Sequence, residues 1–361
     1  MNFSQPHLLK TNNFNLIRIL ASIQVFITHG IDHLNIKTEW LLFIYYKFLI
    51  YFPGVPIFFT ISGFLIYASY DRHHTDLRNF FRNRILRIYP GLFFCVLFTI
   101  LLLYSDYPLA KATLFSKHFF IWLFTQLSLF QFYTPDILRF WGVGTPNGSL
   151  WTISIEMQFY LIIPIIFLLF KYFRNWQYAF WGLFIVSILV NISFTDRANI
   201  FEKLYHEFIF KYLYYFLFGI FAYKMWDKVS SIFVNKFLLI STIYIVYSLV
   251  FGNLLGYRIE AYILESPFGF IANALLSIWT LAFAFSNTSL SQMVIKNQDL
   301  SYGMYIYHMP VINFLNHHNY VGSLVYFGIA FIVTLILSSI SWNFVEKNAL
   351  RFKRANLTTI K

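Results

Sequence analysis

Charge is what this sequence has least of. Asp, Glu, Lys and Arg make up 12% of its 361 residues, about half the share of a soluble globular protein. So few charges cannot clothe a water-facing surface of this size. Cysteine is rarer still: Cys95 stands alone in an apolar run, which excludes an intramolecular disulfide and a cysteine-built metal site. The acidic side is thin, with 15 Asp and Glu against 27 Lys and Arg. The formal surplus of +12 does not make a nucleic-acid surface, because the cations lie between apolar runs and form no basic stripe outside them. Also missing are a Gly-rich phosphate loop, an HExxH metal site and a Ser-His-Asp order, so no metal and no permanently bound cofactor is expected. No repeat, Gly/Ser linker or low-complexity tract divides the chain.

Apolar bulk takes the place of charge. Hydrophobic residues account for 58%, with 46 Phe, 26 Tyr and 9 Trp; Tyr and Trp suit the headgroup level of a bilayer. The pattern predicts an all-α polytopic membrane helix bundle. Ten runs approach the roughly 17–25 residues a spanning helix needs: 14–32, 51–70, 89–105, 151–170, 177–193, 207–223, 237–252, 267–285, 301–316 and 321–343. An eleventh, 118–133, is shorter and reads as re-entrant or interfacial. The expected organisation is a cytoplasmic segment 1–13, one membrane domain 14–346 and a basic cytoplasmic tail 347–361. The first run ends in Gly30-Ile31-Asp32 without a small-residue cleavage site, and so reads as a retained helix rather than a signal peptide.

Charge bias supports ten crossings. With 118–133 left on one side, both termini are cytoplasmic and 17 of the 27 Lys and Arg fall inside, nine outside, with Arg18 in the membrane. If 118–133 crossed, the short Lys171–Arg174 loop and the basic tail would both face outward, against the positive-inside rule. The expected location is a bacterial plasma (inner) membrane.

Ionisable groups within spans are costly and mark candidate sites. Arg18 and His29 are eleven residues apart, within about 20° of three helical turns, so they share a stripe with Ser22 and Val25. An imidazole is the natural group to take a proton from a hydroxyl; the plainer reading is a snorkelling Arg and a His satisfied by a neighbouring helix. In the basic loop after the second run, Arg84 and Arg87 would share a face if helical. There they either grip a polyphosphate or serve as a topology signal. Ser62, in Phe58-Phe59-Thr60-Ile61-Ser62-Gly63-Phe64, is either a polar contact to the site or part of a small-residue packing pair. Trp151 opens the fourth span, where Thr152, Glu156 and Tyr160 recur at i, i+4, i+8. The carboxylate can orient a His, bind a sugar hydroxyl or pair with an Arg. In the ninth span Ser301, Tyr305 and His308 form a second stripe, with Tyr302 beside it; His308 is either functional or structural.

Taken in order, these segments resemble the acyltransferase family 3 membrane proteins, bacterial O-acyltransferases of surface polysaccharides. The matching segments are Arg18-x10-His29, Phe58-Phe59-x-x-Ser62-Gly63-Phe64, Arg84-x-x-Arg87-Ile-x-Pro90, Trp151-Thr152-x-x-x-Glu156-x-x-Phe159-Tyr160, Ser301-Tyr302-x-x-Tyr305-x-x-His308 and Trp342-x-x-x-Glu346. The resemblance implies acyl-CoA, usually acetyl-CoA, as a cytoplasmic co-substrate. It makes His29 the essential catalytic residue, with Arg18 required on the same helix, and has Arg84 and Arg87 assist donor use through CoA phosphates. Glu156 is the third expected catalytic residue, binding the acceptor or pairing with a base. The acceptor would be a hydroxyl of a cell-envelope glycan or lipid-linked saccharide. Ser62, Trp151, Tyr160, Ser301, Tyr302, Tyr305 and His308 are the expected substrate-binding residues, and membrane lipid is the surrounding partner. Two departures stand out. Asn348 sits where many members have Pro, and no extracytoplasmic hydrolase-like domain is expected. Residues alone leave a solute transporter as the second reading and a membrane scaffold or sensor as the third.

Overall fold

A backbone in lipid has no water to bond, so an apolar run must pair each N–H with a carbonyl one turn back. The computed structural model, which describes residues 11–131, 133–193, 205–259, 264, 266–296 and 298–353, is helical throughout and has no strand among those residues. Its helices are α1 (Phe14–His33), α2 (Glu39–Lys47), α3 (Gly54–His73), α4 (Leu77–Asp106), α5 (Pro108–Thr113), α6 (Lys117–Gln126), α7 (Trp151–Tyr172) and α8 (Trp176–Ser193). They continue as α9 (Leu213–Lys224), α10 (Trp226–Phe233), α11 (Phe237–Ser248), α12 (Pro267–Phe285), α13 (Leu290–Ile295), α14 (Ser301–His317), α15 (Leu324–Ile340) and α16 (Lys347–Arg351). Lys10, Arg197, Lys203, Arg354 and Lys361, counted in the charge balance, lie outside the described residues.

Eight helical stretches among the described residues are long and apolar enough to cross a bilayer: 14–33, 39–72, 77–106, 148–172, 176–193, 237–254, 267–285 and 324–351. The protein is a polytopic helical membrane bundle. The two other expected spans are also helical but shorter, 12 residues for α9 and 17 for α14. The segment 118–133 yields α6, ten residues long. At 1.5 Å per residue it extends roughly 15 Å, half the hydrocarbon thickness.

The arginine-rich stretch is not a loop. Asp76 caps α4 by accepting the Asn79 N–H at 2.9 Å, and the helix runs 30 residues through Arg84, Arg87 and Pro90. Arginine is a good helix former, so a cap thirteen residues upstream of the apolar run is enough to start the rod early. Two spans end in a π-helical turn, at Leu249–Leu254 after α11 and at Ser341–Glu346 after α15.

Contacts group the chain into two units that alternate along the sequence. The first comprises residues 1–24, 44–72 and 163–299, the second 25–43, 73–162 and 300–361. In the first unit, buried Asn13 closes the end of α12: its amide donates to Phe283 O, Ser286 O and Asn287 O, and its oxygen accepts from the Ser291 N–H. Helix α3 crosses α9 in backbone contact. A Cβ on Gly63 would lie 2.1 Å from Phe216 O, and one on Gly219 would lie 2.2 Å from Thr60 O. Gly63 and Gly219 thus serve close packing. Around that crossing Phe14, Phe64, Trp226 and Phe285 form an aromatic core. In the second unit, Phe26, Leu34 and Ile312 are buried against α15, where Phe327 and Phe331 meet Phe26 edge-on.

Candidate active site

The site grows from a proline. Pro310, inside α14, has no N–H to offer the carbonyl of Ile306. That oxygen is taken instead by the Asn147 amide at 2.9 Å and the Cys95 thiol at 3.1 Å. Asn147 also accepts from Ser149 at 2.7 Å, and Asn313 holds the preceding loop through Val143 N–H, Thr145 O and Pro146 O. These bonds fix α14 against α4 and the start of α7 on either side of His308.

His308 is fully buried. Its Nε2 lies 2.8 Å from His29 Nδ1, with the rings stacked at 5.1 Å and 25°. His29 is part-buried. His33, one turn further along α1, brings a third ring to 5.6 Å from His29. Among the described residues no cluster of His, Cys, Asp or Glu is arranged to hold a metal ion.

The α7 stripe meets this centre as its spacing predicts. Thr152 donates to the Tyr305 hydroxyl at 2.6 Å, and Tyr305 lies edge-on to His308. One turn along, the Tyr160 hydroxyl donates to Glu156 Oε1. Tyr160 and Phe80 both receive the Arg84 guanidinium on their ring faces, at 5.6 and 5.5 Å. Arg87 stands over Tyr302 at 5.9 Å, and Tyr302 donates to Ile88 O at 2.8 Å. The Tyr302 ring fits because residue 91 is Gly: a Cβ there would be 2.7 Å from Tyr302 Cε1. Glu346, in the π turn after α15, accepts from Ser341 at 2.8 Å and is buried near Gly91 and Tyr302. Arg84 and Tyr160 also line a cleft of about 280 Å³ whose other walls, such as Ile88, Met157 and Leu161, are mostly apolar.

The second unit therefore brings together His29, His308, Tyr305, Glu156, Tyr160, Arg84, Arg87 and Tyr302. Ser301 is buried at the first position of α14 and Trp151 is half-buried at the first of α7. Arg18 and Ser62 belong to the first unit. There Arg18 forms an ion pair with Asp299 at 3.7 Å, both largely shielded from solvent. Sequence reasoning passed over Asp299, His33 and Asn147. The i, i+4 spacing of His29 and His33 was visible; nothing local marked the other two.

An acyltransferase domain matches residues 11–343 of this chain. The chain belongs to acyltransferase family 3. Nodulation protein 10 of Rhizobium leguminosarum bv. viciae is 29% identical over 95% of this chain and 94% of its own. An O-acetyl transferase of Shigella phage Sf6 is 27% identical over 94% and 96%. The O-acetyltransferase OatA of Staphylococcus aureus is 26% identical over 91% of this chain, which spans 56% of that longer protein. No solved structure matches. Family and fold together make this acyltransferase a membrane O-acyltransferase.

Proposed function

We propose that this acyltransferase moves an acetyl group from cytoplasmic acetyl-CoA to a hydroxyl of a cell-envelope glycan, and that His29 performs the transfer. The support that matters most is the setting of His29: its Nδ1 is engaged by a buried imidazole 2.8 Å away, on a residue that is itself only part-buried. One nitrogen is thereby held and the other is left to react. In one route Nε2 takes the proton from the acceptor hydroxyl, whose oxygen attacks the thioester carbonyl; the C–S bond breaks and the thiolate recovers the proton. In the other, Nε2 attacks the thioester carbonyl first, the C–S bond breaks and CoA leaves as the thiolate. The hydroxyl oxygen then displaces the imidazole from the acyl carbon, and the hydroxyl proton passes to the thiolate. Both routes use the same nitrogen.

The donor end is Arg84 and Arg87. Held on aromatic faces beside a mostly apolar cleft, a guanidinium suits a ligand that joins a phosphate to an uncharged arm, as CoA does. Glu156, tied to Tyr160, is placed to accept from a sugar hydroxyl. The chain sits in the bacterial plasma membrane with both termini cytoplasmic, as its basic segments direct. Relatives named as O-acetyltransferases support acetyl as the group carried.

The test is His29→Ala inserted at the wild-type level, with acyl groups on surface glycans measured by mass spectrometry. Acylation should vanish. Wild-type acylation in that variant, or solute flux without thioester loss in purified protein, overturns the reading.

A further inference from the structure

The two imidazoles have an order, and a carbonyl sets it. His308 Nδ1 lies 3.3 Å from Met304 O. A carbonyl oxygen only accepts, so the nitrogen facing it carries the hydrogen. A neutral imidazole has one such hydrogen, which leaves His308 Nε2 with its lone pair. That lone pair faces His29 Nδ1 at 2.8 Å. His29 Nδ1 must then donate, and the bare nitrogen of His29 is Nε2. The reverse order would set two lone pairs against each other at Met304 in a place water does not reach.

We infer that His308 is a positioning residue that fixes His29 in the Nδ1–H tautomer and so delivers Nε2 to the reacting atoms. This rests on the acyl-transfer reading above and reassigns His308 from substrate binding, since it is wholly buried and engaged at both nitrogens. Its ring cannot turn away: Tyr305 packs edge-on at 5.9 Å and Phe26 at 6.5 Å. A carboxylate holds the equivalent nitrogen in the Ser-His-Asp arrangement. Here the holder is neutral, and its polarity comes from a backbone carbonyl one helical turn away on α14. When Nε2 gains a proton, the Nδ1–H···Nε2 bond becomes charge-assisted and strengthens, so the same contact that orients the base also steadies its protonated form.

The test uses the full-length protein. His308→Phe keeps a ring of similar size and removes the acceptor; His308→Gln can place an oxygen where Nε2 sits. In membrane vesicles from expressing cells, with acetyl-labelled acetyl-CoA and label read in the glycan, His308→Phe should lower kcat by roughly 10²–10⁴-fold. The KM for acetyl-CoA should stay within about twofold, and His308→Gln should recover about tenfold or more of the lost rate. Nitrogen-15 spectra of ring-labelled histidine in nanodiscs, with His29 identified by its loss in His29→Ala, should show a protonated Nδ1 and a bare Nε2 in the wild type. In His308→Phe the proton should move to Nε2. Wild-type turnover in His308→Phe, or a wild-type His29 already protonated on Nε2, overturns the inference even if His308→Phe fails to insert. A wild type that consumes no acetyl-CoA defeats the acyl-transfer reading instead, while the spectra still decide the tautomer.

Discussion

The two units are built from the same apolar helices but hold them by different means. In the first, beside the side-chain bonds of Asn13 and the Arg18–Asp299 pair, rings and backbones meet at close range: Phe64 against Phe285 and Trp226, Gly63 against Phe216. In the second, side-chain hydrogen bonds link α1, α4, α7 and α14 through His308, Thr152, Asn147 and Tyr302. Van der Waals packing tolerates no added atom but carries no chemistry, whereas a polar network tolerates reshaping and holds protons in place. The first unit should therefore answer substitution with lost folding and the second with lost turnover.

The sharpest way to break that contrast is Gly63→Val. Its Cβ would meet backbone atoms of Phe216 at 2.1–2.8 Å, and backbone cannot swing aside as a side chain can. Folded protein should fall below detection in size-exclusion profiles of detergent extracts; a normal profile would show the crossing to be loose. Next in size is Arg18→Met, which removes the cation of the shielded Arg18–Asp299 pair while Asp299 keeps its other interactions, and should cost about 3 kcal/mol in thermal stability assays. Adding Asp299→Leu should restore part of it, because an apolar pair of similar volume leaves no carboxylate facing the missing guanidinium. Acyl transfer separates the two roles expected of Arg18: recovery in the double variant marks a holding role, persistent loss a catalytic one.

Smaller effects should come from the second unit. Arg84→Gln should raise the KM for acetyl-CoA by about 10- to 100-fold with melting temperature little changed, since one charge-assisted contact is worth about 1.5–3 kcal/mol. Arg84→Lys should recover little, because an ammonium lacks the planar face stacked on Tyr160. Unchanged KM in both variants would detach the cleft from the donor. Smallest is Thr152→Val, which deletes the bond to Tyr305 and should slow turnover by about fivefold, near the 1 kcal/mol of an ordinary hydrogen bond. A larger loss would mean that Tyr305 orients His308 more than its ring contact suggests.

Helices with strong boundary signals were legible from the chain alone. The run 267–285 coincides with α12 because Ser266 caps it, accepting from the Gly269 N–H at 3.1 Å, and Pro267 occupies its first turn. The start of α4 was misplaced by twelve residues because hydropathy falls at the arginines while helix propensity does not. The run expected from 207 becomes helical only at Leu213, after a 3-10 turn at Ile209–Lys211 where buried Lys211 reaches His206 at 2.8 Å. The π turns at 249–254 and 341–346 were invisible, since one extra residue per turn leaves no mark on apolar spacing. The second unit holds all the stripe residues but Arg18. The stripes were readable one at a time: Arg18 with His29 along α1, Thr152 with Glu156 and Tyr160, Tyr305 with His308. Their pairing was not. His29 and His308 are 279 positions apart, and no local pattern encodes which helices touch.

Thirty residues of unbroken helix make α4 a rod of roughly 45 Å, half again the thickness of the lipid interior. A rod that long cannot keep both ends under oil. If its far end reaches the opposite headgroups, its opening three turns stand clear of the hydrocarbon, with Arg84 and Arg87 at the waterline. A polyanion could be gripped there without shedding its hydration inside the bilayer, and only a slender uncharged tether would need to reach inward.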